Sequence, residues 1–233
     1  MRGALLPLAL LAAPAQAEGC RLALVLALDV SSSVDAEEDR LQREGLAAAM
    51  LAPAVARAFL QGEPVALFAF EWSGRNAQVP LWDGWRVIED EEALRRAAGA
   101  VAKSRRSRDE LPTALGAALG FAASALEDGP DCRSRTIDVS GDGINNEGFS
   151  PDLAREFFPL EGVTVNALLV GGEGQGEDLA LLSWFQEEVL SGPGAFVVRA
   201  QGYAQYEEAM KVKLLRELMV PAVSGRVVGP EAG

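Results

Sequence analysis

The sequence predicts an α/β fold: a doubly wound, mostly parallel sheet of six strands with helices on both faces. Two observations lead there. Continuous apolar runs such as "LALVLAL" (22–28), "PVALFAF" (64–70) and "VTVNALLV" (163–170) have the length and composition of strands buried on both faces. Longer segments with helical periodicity lie between them. Strand and helix therefore alternate, the order that gives parallel strands joined by right-handed crossovers.

Taken in order, 22–28 is the first strand and a central one. Residues 35–60 are helical, with Ser33 or Asp35 as the cap and acids in the first turn. Residues 64–70 form the second strand. Residues 77–82 alternate and carry Pro80, which suits an edge strand because proline donates nothing to a ladder. Residues 89–103 are helical, and 114–126 form a helix of small residues able to pack closely on a sheet. The strand 135–140 runs into a glycine-rich loop. A short helix (151–158), a strand (163–170), a helix (177–190), a strand (195–199) and a last helix (203–219) complete the pattern. Trp82 and Trp85 are assigned to the core. No repeat or internal boundary interrupts 18–220, and 221–233 reads as a flexible tail.

Composition narrows the function. A chain of 233 residues, 49% hydrophobic, can bury one substantial core. The formal charge of -13 argues against nucleic acid, which is bound through Lys and Arg on phosphates, and against docking on anionic lipid. There is no histidine. Ser-His-Asp and Cys-His catalysis and histidine-containing zinc sites are thereby excluded, and any metal should be hard and held by oxygens. Residues 1–17, "MRGALLPLALLAAPAQA", read as a secretory signal: Arg2, a short apolar run, and an Ala15-Gln16-Ala17 cleavage site. The expected protein is periplasmic or secreted, without membrane insertion.

The chemistry gathers where strands end. The first strand runs into Asp29-Val30-Ser31-Ser32-Ser33, and the strand at 135–140 runs into "SGDGINNEG", which places Asp142 between glycines. Thr113 precedes the small-residue helix. One by one these have plain structural readings: Asp29 as a cap or buried acid, Asp142 as turn chemistry, Thr113 as a helix cap. Together, beyond the carboxyl ends of neighbouring strands, they form a set of two acids and three hydroxyls. Two carboxylates so close repel unless a cation lies between them. Oxygen ligands alone suit Mg²⁺, with Mn²⁺ or Ca²⁺ as alternatives.

This constellation resembles the metal-ion-dependent adhesion site of a von Willebrand factor A domain: D-x-S-x-S at Asp29, Ser31 and Ser33, a later threonine at Thr113, and a loop aspartate at Asp142. "ALDVSSSVD" and "DVSGDGINNEG" behind a signal peptide resemble more closely a group of exported bacterial A-like domains of unassigned function. The resemblance covers about residues 20–220. It implies a Rossmann-like sheet with one antiparallel edge strand, a divalent cation near the five residues, and a protein partner whose acidic side chain completes the coordination. Where the family often has glycine before the threonine, this chain has Leu111-Pro112, a stiffer step into Thr113.

Cys20 lies nine residues before Asp29, and Cys132 lies ten before Asp142. If the two acids are level at one end of adjacent parallel strands, the cysteines are level at the other. An oxidising compartment then predicts a Cys20–Cys132 disulfide. Segments following other strands should reach the site's rim and offer partner-binding residues: Trp72, Arg105, Arg106, Arg108 and Glu173. Three functions compete. The first is a non-enzymatic binding module that captures a protein through the metal. The second is a metal-dependent hydrolase of phosphate or ester, which two acids around Mg²⁺ could support. The third is a structural subunit of an envelope complex. "VSGDG" is not a nucleophile elbow, since Asp138 stands where the first glycine belongs.

Overall fold

A computed structural model of the chain describes residues 19–171 and 175–219. The segment 1–17 read as a signal, the segment 221–233 read as a tail, and Glu173 lie outside the described residues. Seven strands form one sheet: β1 (Leu22–Asp29), β2 (Val65–Trp72), β3 (Gln78–Pro80), β4 (Arg86–Ile88), β5 (Ser134–Gly141), β6 (Val163–Gly171) and β7 (Val197–Gln201). The order is β3-β2-β1-β5-β6-β7, with β4 also on β2. β2, β1, β5, β6 and β7 are mutually parallel, while β3 and β4 run antiparallel to β2. The chain steps from β1 outward to β2, then returns to place β5 on the other side of β1. The switch point of this doubly wound sheet therefore lies between β1 and β5, where such sheets bind ligands beyond their strand ends.

The edge differs from the expected single strand. β3 pairs with Phe70–Trp72 and β4 with Val65–Leu67, so one antiparallel edge is split into two short pieces along β2. The detour between them is Leu81-Trp82-Asp83-Gly84-Trp85. It tucks Trp82 into the core and lets the Trp85 indole donate to the Ala125 carbonyl at 3.2 Å.

β1 explains the two layers. Its leucines, Leu22, Leu24, Leu26 and Leu28, face one side, and Ala23, Val25 and Ala27 face the other. This is the period-two alternation of a strand covered on both faces. The leucine side packs on α1 (Ala36–Leu51), α2 (Pro53–Phe59), α3 (Glu91–Lys103) and α7 (Tyr206–Met219). The small-residue side receives α4 (Leu115–Glu127), α5 (Pro151–Phe157) and α6 (Gln175–Trp184), the last extended by a π-helical turn, Phe185–Val189. The helix expected over 35–60 is two helices, because Pro53 lacks the N–H to continue α1 and instead occupies the first turn of α2. Asp35 is the cap of α1. It accepts from Glu37 and Glu38 N–H, while the Glu38 carboxylate accepts from Asp35 N–H.

Cys20 and Cys132 form a disulfide, with Cα atoms 4.7 Å apart and 112 residues between them. It ties the starts of β1 and β5 at the pole opposite Asp29. A link closing so long a loop restricts the unfolded chain. Its removal as a Cys20→Ala/Cys132→Ala pair is expected to cost between about 2 and 5 kcal/mol, read as a lowered urea midpoint with a steeper slope, since the released unfolded chain exposes more surface. An unchanged midpoint would mean that the bond adds nothing to stability.

Candidate metal centre

Asp29 closes β1, opposite Trp72 of β2, and is fully buried. Its Oδ1 accepts from the Ser31 N–H at 2.8 Å, which bends the chain immediately after the strand. Its Oδ2 is buried without a hydrogen-bond partner. Gly141, at the end of β5, leaves room for that oxygen: a Cβ there would sit 3.3 Å from it. The bend brings Ser31 and Ser33 together, Oγ to Oγ 3.2 Å, and the Ser33 hydroxyl donates to Asp142 Oδ1 at 2.7 Å. Thr113 Oγ1 donates to Ser31 Oγ at 3.3 Å. All five residues singled out in the sequence thus meet in one cluster, from three separate stretches of chain.

The cluster is electrostatically uneasy. Burial first, and then the Asp142 charge, push the Asp29 carboxyl up to about 7. Asp142 is also raised by burial, with the Ser33 hydroxyl opposing that rise. Two half-starved acids, one with an orphaned oxygen, and three hydroxyls make an oxygen-only donor set. That set fits a hard divalent cation, and neither a thiolate nor an imidazole competes for it. Among the described residues no group of three acids or cysteines is placed to hold a metal ion. Two cavities, of about 770 Å³ along β4 and α3 and about 460 Å³ near the disulfide pole, include none of the five residues. An ion needs a ring of oxygens rather than a cavity.

Two supports hold the cluster that the sequence reading did not single out. The first is the pair Asn145 and Asn146. Asn146 Oδ1 accepts from Thr113 N–H at 2.9 Å, and the Asn146 and Glu147 N–H groups donate to the Thr113 carbonyl. Asn145 Oδ1 accepts from Gly116 N–H at 3.0 Å, capping α4, whose own first residue before the helix, Ala114, makes no side-chain cap. The loop lies so close that a Cβ on Gly116 would fall 2.0 Å from the Phe149 carbonyl oxygen. Leu111 at the unusual Leu111-Pro112 step contributes as well, since its carbonyl accepts from Ser32 N–H at 2.8 Å. Asn146→Ala is therefore expected to release Thr113 and weaken cation binding about tenfold, measured by titration calorimetry. Unchanged affinity would remove Thr113 from the site.

The second support is a buried ion network beneath the serine turn. Arg43, 3% exposed, joins Asp39 (2.8 Å) and Glu71 (2.5 Å), and donates to Ser104 Oγ at 2.6 Å. Glu71 in turn accepts from Ser107 N–H at 2.7 Å. The network pins the basic segment 104–108 over the site, where Arg106 donates to the Val30 and Ser31 carbonyls at 2.9 and 2.8 Å. Gln42 donates to the Asp29 carbonyl at 2.8 Å from the other side.

The expected rim is corrected in part. Trp72 is not on it. Trp72 is the last residue of β2, fully buried, and shares a face with Phe68 and Phe70. The alternation of "FAFEW" continues one residue pair further than the assigned strand end, and that was the available signal. Arg106 lies half-buried and serves the turn, whereas Arg105 and Arg108 are exposed in the same segment. Ile144, beside Asp142, is 51% exposed and joins the rim unforeseen.

A sheet of this order with an acid-and-hydroxyl cluster at its switch point defines a von Willebrand factor A-type fold. Solved structures agree. The chain matches a von Willebrand factor type A protein from Catenulispora acidiphila at 16% identity and TM-score 0.58, over 86% of this chain and 43% of that one. It matches proximal thread matrix protein 1 from the mussel byssus, solved with a zinc-occupied MIDAS motif, at 16% identity and TM-score 0.52, over 85% and 48%. It matches the pilus adhesin SpaC of Lactobacillus rhamnosus GG at 12% identity and TM-score 0.60, over 87% and 31%. The chain spans less than half the length of each, and at these identities the likeness is one of fold. No curated protein matches the sequence. The chain belongs to the family described as protein of unknown function DUF1194, whose model matches residues 19–222.

Proposed function

We propose that this chain is an exported, non-enzymatic binding module that captures a protein partner through a divalent cation. The observation that carries the reading is Asp29: a fully buried carboxylate whose Oδ2 has no donor, facing a ring of hydroxyls and a second acid. Asp29, Ser31, Ser33, Thr113 and Asp142 would hold Mg²⁺, with Mn²⁺ or Ca²⁺ as alternatives. A bound cation supplies a charge that neutralises the two acids and attracts a further carboxylate. Two acids against one divalent ion leave no excess negative charge, so an acidic side chain from a partner is not repelled. The exposed Arg105 and Arg108 flank that approach and favour an acidic partner despite the protein's overall charge. The disulfide supports export, because such bonds persist in oxidising compartments, and so does the signal-like segment 1–17. Among the described residues no helix is long and apolar enough to cross a membrane.

The test is calorimetric titration of Mg²⁺, Mn²⁺ and Ca²⁺ into metal-stripped protein, followed by partner capture from the exported fraction with and without chelator. Saturable one-site binding and chelator-sensitive capture are expected. A folded protein that binds none of the three ions would sink the reading. Binding of the ion without chelator-sensitive capture would favour a cation that only locks the fold of an envelope subunit.

A further inference from the structure

Resting on that reading, we propose that Tyr203 is a further residue of the metal centre, its O–H turning to Asp142 as a second hydrogen-bond donor beside Ser33 when the cation is bound. Tyr203 opens the 3₁₀ turn Tyr203–Gln205 that follows β7 and leads into α7. β7 ends beside β6 with Gln201 paired to Gly171, so the turn emerges at the same edge of the sheet as Asp142. It packs against α1, the helix that begins just after the serine turn.

The side chain is placed as if for a partner that is missing. It is 5% exposed, and its hydroxyl is buried with no hydrogen-bond partner. The ring is fixed rather than free: it stacks on Tyr206 with centroids 6.2 Å apart and planes 7° from parallel. Tyr206 is anchored in turn by a 2.6 Å hydrogen bond between its hydroxyl and Ser140 Oγ of β5. A rigid phenol with an orphaned hydroxyl costs stability unless something else satisfies it. Tyr203 lies at the end of the sheet that carries the acid cluster, and burial first, then the charges of Asp142 and Asp29, hold its phenol well above the usual range. A donor held by packing outside the ligand ring is how a metal site fixes the orientation of a ligating carboxylate.

Tyr203→Phe keeps the ring and its stack and removes only the oxygen, which separates the two roles the hydroxyl could have. The probe is Mn²⁺ alone, titrated into metal-stripped wild type, Tyr203→Phe and Asp29→Ala, with melting temperatures taken in chelator and in saturating Mn²⁺. The expected result has three parts. Tyr203→Phe binds Mn²⁺ about tenfold more weakly than wild type. Its melting temperature in chelator is equal to or above that of wild type, because an unsatisfied buried group has gone. Wild type gives a near-ultraviolet tyrosine difference signal on Mn²⁺ addition that Tyr203→Phe lacks. Equal Mn²⁺ affinity in the two proteins overturns the assignment of Tyr203 and leaves the metal centre standing. An equal fall in melting temperature with and without Mn²⁺ makes the hydroxyl a part of the fold and also overturns it. A folded wild type that takes up no Mn²⁺, indistinguishable from Asp29→Ala, overturns the metal reading and this assignment with it.

Discussion

Asp29→Asn is expected to abolish divalent-cation binding and, in chelator, to melt at a higher temperature than wild type. The two effects have one cause. The Asp29 carboxylate is fully buried, and one of its oxygens lacks any donor. Burial and the neighbouring Asp142 both oppose its charge. Asparagine keeps the shape and the acceptor for the Ser31 N–H, and removes the buried charge that burial and Asp142 oppose. Relief of a buried unsatisfied group is worth on the order of 2 kcal/mol. Wild type should recover more than this when metal is added, since a ligand present at a hundred times its dissociation constant stabilises by about 2.7 kcal/mol. In a thermal melt, wild type therefore moves upward with Mg²⁺, while Asp29→Asn starts higher and does not move. A variant that melts below wild type in chelator and still responds to Mg²⁺ would show that Asp29 is a structural acid and that the cation sits elsewhere.

The ends of β1 and β5 were the legible part of the site. An acid or hydroxyl immediately after a fully apolar strand has no reason to be there for the core, so Asp29, Ser31, Ser33 and Asp142 stood out by position alone. The level spacing of Cys20 and Cys132 before those acids carried the strand order as well, because two residues can be bridged only if their strands are neighbours. What stayed hidden works through the backbone or through burial. Asn145 and Asn146 act on Thr113 and Gly116, about thirty residues away, through main-chain groups that any sequence supplies. Glu71 and Arg43 are charges that sequence patterning assigns to solvent, yet they lie at the base of the site and hold its lid of chain 104–108. Trp72 was misplaced because a strand end followed by Ser-Gly looks like a loop, while its side chain obeys the alternation of the strand before it.

The same blindness to buried charge applies to α7, where it leads to the largest expected loss of stability. Lys213 is fully buried and lies 2.6 Å from Asp138 of β5 and 2.7 Å from Glu217, one turn further along the helix. Asn166 of β6 donates to Glu217 at 2.9 Å and accepts from Phe196 N–H at 3.1 Å, so the group ties the last helix to β5, to β6 and to the chain just before β7. One cation cannot neutralise two carboxylates. Burial, and then the Glu217 charge, accordingly pushes Asp138 well above the usual carboxylate range, with Lys213 pulling the other way. Lys213→Met removes the charge that pairs with both acids and leaves the two together in the core, an outcome expected to cost about 3–5 kcal/mol. Replacing all three, as Lys213→Met with Asp138→Leu and Glu217→Leu, should restore most of that loss, since it is the unpaired charge and not the missing pair that destabilises. The sign of the pH dependence follows from the direction of the Asp138 shift. A raised carboxyl favours its protonated form in the folded state, so its contribution is most favourable at low pH. That contribution falls as pH rises above the unfolded value near 3.9, until the raised value is passed. Asp138→Asn, which keeps the size and removes the titrating group, should flatten that decline between about pH 4 and 7. Urea midpoints across this range, measured on both proteins in chelator, decide the matter: parallel curves would mean that Asp138 is ionised throughout and that Lys213 satisfies both acids.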